Sequence, residues 1–166
     1  MRYILVFINI LLSFGAYGFN TSSYQNETLN NIIKRSNVIV DLHGDDKGIE
    51  IIRPTARVFL KENLAKMPYK CSSDGLLKIM KVAGFNANNF PPINYCIDIK
   101  SKSGVTAIFY VQDSLVEFIN KEVKVGDNVK LWALWVYSNG FDRLPRFLVN
   151  GYEANLPPNQ PLKVTP

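Results

Sequence analysis

Residues 95–152 decide the fold: YCIDIKSKSGVTAIFYVQDSLVEFINKEVKVGDNVKLWALWVYSNGFDRLPRFLVNGY. From Ile93 the chain alternates. Ile93, Tyr95, Ile97 and Ile99 point one way, with Asn94, Cys96, Asp98 and Lys100 the other, which is the pattern of a half-solvated strand. Ser101-Lys102-Ser103-Gly104 has hairpin-loop chemistry, and Val105 to Gln112 is the returning strand. Ser114-Leu115-Val116-Glu117 has the spacing of a capping box, so a short helix through Phe118 and Ile119 is predicted. Val125-Gly126-Asp127 then turns the chain into Asn128 to Ser138, read as the longest strand. Leu131, Ala133 and Trp135 share one of its faces, and Trp132, Leu134 and Val136 the other. Both faces are apolar, so this strand is expected to be covered on both sides. Ser138-Asn139-Gly140 opens the next turn, and Arg146 to Tyr152 pairs back.

Upstream, Ser73-Asp74-Gly75 precedes a wide apolar stripe at helical period: Leu76, Leu77, Ile79, Met80, Val82 and Ala83. Gly84 stands where a C-terminal helix glycine belongs. Leu29, Ile32 and Ile33 predict a shorter amphipathic helix ending near Asn37. The β-branched run Val38 to Leu42 reads as a strand, followed by a turn from His43 to Gly48 and a second strand at Ile49 to Ile52. Pro54 with Thr55 can open a helix carrying Val58, Phe59 and Leu64 and ending before Pro68, although an extended reading of Ala56 to Leu60 is nearly as good. Together these elements predict an α+β fold. Its antiparallel sheet is strongly twisted and of a size to close into a small OB-like barrel, with N-terminal helices packed on it.

The first eighteen residues read as a cleavable signal peptide. Arg2 is the positive end, Ile4 to Leu12 are apolar except for Asn9, and Ala16-Tyr17-Gly18 places small residues where a signal peptidase reads. The apolar run is short of the roughly 20 residues a membrane span needs. On this reading the mature chain begins near Phe19, occupies a single domain over residues 19–155, and ends in a proline-rich tail at 156–166 with no helical or strand period. Its expected location is the periplasm or outside the cell, with no transmembrane segment in the mature chain. The two cysteines, Cys71 and Cys96, are then expected to form a disulfide. Such a bridge closes a loop of about 25 residues, worth about 3 kcal/mol on the chain-entropy account. Asn20-Thr21-Ser22 and Asn26-Glu27-Thr28 match the N-glycosylation acceptor pattern. The Asn-, Lys- and Ile-rich composition fits an AT-rich bacterial genome at least as well.

The 166 residues carry 47% hydrophobic and 20% charged side chains, proportions of an ordinary globular protein. The formal charge of +5 permits contact with anionic polymers without demanding it, since no block of five or more basic residues occurs.

Two groups of residues are candidates for chemistry. In the first, strand alternation would put Asp41 and His43 on one face with Asp45 within reach, a set able to ligate a divalent ion. His43 is the one histidine in the chain, which weakens both a zinc site and a catalytic thiol or serine. No Gly-x-Ser-x-Gly, phosphate-cradling loop, Cys-x-x-Cys or His-Glu-x-x-His is present, and nothing calls for a cofactor. In the second, Trp132 and Tyr152 would share a sheet face with Lys130, Arg143 and Arg146 near the strand ends. Rings flanked by cations are how small barrels grip single-stranded nucleic acid or sugars, although the same rings serve equally well as core. The expected function is a small exported, non-enzymatic binding or interaction protein. Its partners would be an envelope or secreted protein, or an anionic or sugar polymer, with nucleic acid a weaker prospect. The alternative is a small secreted hydrolase or metal-dependent enzyme centred on His43.

Overall fold

In chain order the elements are a 3-10 turn at Thr21–Ser23, β1 (Gln25–Asn26), α1 (Leu29–His43), β2 (Ile49–Glu50), β3 (Ala56–Lys70), α2 (Asp74–Val82), β4 (Tyr95–Lys100), β5 (Thr106–Val111), α3 (Asp113–Glu122), β6 (Asn128–Asn139) and β7 (Pro145–Ala154). The computed structural model describes residues 21–43, 49–50, 56–82, 84–86, 90–139 and 142–154. The leader at 1–18, the turn at 44–48 with Asp45, and the tail at 156–166 lie outside them.

Five strands close a barrel in the order β3-β4-β5-β7-β6 and back to β3. β3 makes the closure possible because it serves two partners. Its first half runs antiparallel to β6, from Ala56 opposite Trp135 to Asn63 opposite Asn128. Its second half pairs with β4, from Asn63 opposite Lys100 to Lys70 opposite Tyr95. Register shifts on either side of Lys66 bend the strand between the two. Pro68 falls within the second shift, where its missing N–H takes no bond from the ladder. The last seam, β5 on β7, is parallel and only three residue pairs long. The sheet is therefore mixed, not wholly antiparallel, because α3 carries the chain across before β6 and β7 return. With a helix between its third and fourth strands, the barrel is OB-like.

Alternation sorts the side chains. Val58, Leu60 and Leu64 of β3 join Ile97, Ile99, Phe109, Val111, Val129, Leu131, Ala133, Trp135, Phe147, Val149 and Tyr152 in the interior. Phe109 and Phe147 stack there with ring centroids 4.2 Å apart. On the outside, α2 lays Leu76, Ile79 and Met80 over Cys96, Tyr110, Val136, Tyr137 and Leu148. The central strand β6 is thus covered on both sides, as its two apolar faces require.

Two predicted elements are different in the structure. The helix begun at Leu29 does not stop near Asn37 but continues through Val38 to His43, where a strand was predicted. Once a helix is nucleated, each further residue adds a backbone bond, and a β-branched side chain costs only a few tenths of a kcal/mol. Residues 56–70 form strand rather than helix. Their interior positions recur every second residue through Val58, Leu60, Glu62 and Leu64, a period hidden in the sequence by the charge at Glu62. The predicted capping box also does not form: α3 begins two residues earlier, with Gln112 rather than Ser114 as its N-cap and no side-chain bond there, and Glu117 pairs with Lys121. The turn glycines do what the sequence asks of them, with Gly84, Gly104 and Gly126 all at positive φ. Among the described residues no helix is long and apolar enough to cross a membrane.

Glu62, 4% exposed, has a structural reason to point inward. Its Oε1 accepts a hydrogen bond from the Leu29 backbone N–H at 2.9 Å, which caps the start of α1 and seats Leu29, Ile32 and Ile33 in the core. Glu62→Ala is expected to lower unfolding free energy in urea by about 2 kcal/mol, and Glu62→Gln by less than half of that, because the amide oxygen still accepts. Equal losses in the two variants would contradict the capping role.

Candidate functional site

The five residues nominated by the sequence do not converge. Trp132 lies on the outer side of β6 with its ring 5.3 Å from that of Phe59, its partner across β3, and is 9% exposed. Tyr152 pairs with Leu131 and faces the interior, so the two rings occupy opposite sides of the barrel wall. The Tyr152 hydroxyl donates to Glu122 Oε2 at 2.7 Å, and burial together with that carboxylate raises its pKa well above the ordinary value. Lys130 pairs with Glu153 at 2.8 Å. Arg146 is 5% exposed, pairs with Asp142 and donates to the Leu144 carbonyl, bracing the β6–β7 turn. Arg143 sits in that turn at φ 58°, and its carbonyl accepts from the Ser36 hydroxyl at 2.9 Å. Trp132→Ala is expected to cost about 3 kcal/mol of stability, read as a lower urea midpoint. A stability-neutral change would show the ring to be free surface.

Asp41 and His43 belong to the last turn of α1. The strand expected over Val38 to Leu42 is thus the last part of this helix, and Asp45 lies outside the described residues. Among the described residues, no three His, Cys, Asp or Glu side chains gather as a metal site requires.

The face that OB-like barrels commonly offer to ligands, the outer side of their second and third strands, corresponds here to β4 and β5. α2 covers one end of it. Beneath the helix, Tyr69 donates to Asp98 Oδ1 at 2.6 Å. Tyr137 lies 3.8 Å from the position a Cβ on Gly75 would take. Burial first, then a hydrogen bond with Tyr110, raises the Tyr137 pKa far above the ordinary phenol range. Tyr137 thus faces the protein's own helix.

Beside this partly covered face is an open groove of about 490 Å³ lined by Lys70, Cys71, Ser72, Asn94, Tyr95 and Asp113. It forms where β3 ends, β4 begins and α3 starts, and a set of bonds holds the three together. The Cys71–Cys96 disulfide, with Cα atoms 5.8 Å apart, ties the two strands. The Cys71 N–H donates to the Asn94 carbonyl at 3.0 Å. The Asn94 backbone N–H donates to Asp113 Oδ1 at 2.8 Å, and Asn94 Nδ2 donates to Oδ2 at 2.7 Å. The carboxylate is therefore held by both ends of one asparagine, and it stands in the first turn of α3, where negative charge complements the helix dipole. Asp113 is fixed further by its own N–H, which donates to the Pro92 carbonyl at 2.9 Å. Ser72 donates to Asp74 on the groove's rim. Lys70 and Tyr95 are cross-strand partners, and no described residue makes a polar contact with either side chain. The site thus sets a fixed acceptor, a cation and a half-buried phenol ring in one concavity.

The sequence nominated none of this group as a ligand contact, and Cys71 entered only as half of the expected disulfide. The cysteine pair was the one available signal, because a bridge from Cys71 to Cys96 brings residues 70–72 against 94–96. No protein-family model, curated protein or solved structure matches the chain. What the fold and the site define is a class: a disulfide-tied OB-like barrel with one end of its strand face under a helix and a polar groove open beside it.

Proposed function

We propose that the protein is a small exported binding domain whose ligand docks in the groove of Lys70, Ser72, Asn94, Tyr95 and Asp113. The observation that carries this reading is the preorganisation of Asp113, which Asn94 holds through two bonds at the mouth of an open concavity. A polar group held rigid by its neighbours, on strand and helix ends rather than on a long loop, loses little freedom when a ligand arrives. Export is supported by the character of residues 1–18 and by the disulfide, which persists in oxidising compartments. The partner is then a polymer or protein of the cell envelope or the medium.

The test is amide chemical-shift mapping on the protein as exported, titrated separately with soluble neutral oligosaccharides, single-stranded DNA and an acidic polysaccharide. The expected result is that at least one of them shifts resonances at residues 70–72, 94–95 and 113. Shifts confined to Phe59 and Trp132, or none at all, would overturn the assignment of the groove.

A further inference from the structure

We infer that the groove takes a neutral, hydroxyl-rich chain, a glycan, rather than a polyanion; this rests on the groove being the binding site. Charge separates the two ligand classes. Lys70 and Asp113 place one cation and one anion in the same concavity. A polyanion would gain at Lys70 but meet the Asp113 carboxylate, and a cationic peptide would meet the reverse. A polyol satisfies both, because a hydroxyl donates to a carboxylate and accepts from an ammonium. Each Asp113 oxygen already accepts one bond from Asn94 and keeps a lone pair for the ligand. Tyr95 adds an amphipathic ring at the start of β4, suited to lie against the C–H face of a sugar. The positive end of α3 offers no separate welcome to phosphate or sulfate, since Asp113 occupies its first turn. The chain's overall +5 would draw polyanions weakly to any surface, and salt would remove that attraction.

Affinity is measured on the full protein as exported, with maltohexaose, cellohexaose and chitohexaose against heparin fragments and oligo-dT, at low and moderate salt. One neutral oligosaccharide is expected to shift the groove resonances with an affinity that changes less than about twofold with salt. Asp113→Asn is expected to weaken it about tenfold, as loss of a charged acceptor does. Lys70→Ala, at an exposed strand end where folding is not at risk, is expected to weaken it about threefold. If only the polyanions shift the groove, with affinity falling steeply in salt and Asp113→Asn tightening rather than weakening them, the glycan assignment fails while the groove stands. If no ligand shifts the groove, both fail together.

Discussion

Phe147→Ala is expected to lower the unfolding free energy by about 4 kcal/mol, the largest loss from any single substitution named here. Phe147 is fully buried and stacks on Phe109 across the parallel seam between β5 and β7. That seam is three pairs long, whereas β6 pairs with β7 over nine positions and with β3 over eight. Removing the ring therefore opens a cavity at the place where the fewest backbone bonds hold the barrel closed. The measurement is urea unfolding with hydrogen exchange at Tyr110 and Leu148. Both amides are expected to lose protection before those of β6. If they keep their protection and the loss is under 1 kcal/mol, the stack does not hold the seam.

Replacing Cys71 and Cys96 together with serine is expected to cost about 3 kcal/mol, from a loop of 25 residues freed in the unfolded chain. In a domain of this size that corresponds to a fall in Tm of about 10 °C. The bridge has a local task as well, because it joins the end of β3 to β4 underneath α2, whose Leu76, Ile79 and Met80 share a cluster with Cys96. The double variant is thus expected to loosen α2 and the groove before the barrel, seen as proteolysis between residues 71 and 94 of an otherwise folded protein. Cleavage that begins inside β6 or β7 instead would show that the bridge stabilises the chain only globally.

The legible part of the sequence was the part where period and turn chemistry agree. Ile97 and Ile99, the Ser101–Gly104 loop, Val125-Gly126-Asp127 and the two-faced run around Trp132 all point to the same two hairpins, and those hairpins supply four of the five barrel strands. β3 was hard to read for a physical reason. Glu62, Asn63, Ala65, Lys66 and Pro68 are poor strand formers, and the strand exists because it is paired on both sides and because Glu62 caps a helix 33 residues away. α1 was obscured by Val38-Ile39-Val40, whose local preference for strand gives way to continuation of a helix already anchored by Ile32, Ile33 and Ser36. Ser36 reaches the Arg143 carbonyl, a contact across 107 positions that no local pattern announces. The groove was less legible still. Lys70, Asn94, Tyr95 and Asp113 are ordinary residues at ordinary places, and only the pairing of β3 with β4 and the return of the chain into α3 bring them together. The aromatic residues drew attention by their size, and most of that size is used inside: Tyr152 and Trp135 in the core, Trp132 against Phe59.

The bridge between Cys71 and Cys96 holds both edges of the groove in register, so the proposed site requires a chain that is exported and oxidised. Intact-mass analysis of the protein taken from its native compartment, before and after thiol labelling, tests this directly. A chain beginning near Phe19 that takes no label until it is reduced is the expected result. A chain still beginning at Met1, found in the cytoplasm with two labelled thiols, would contradict it.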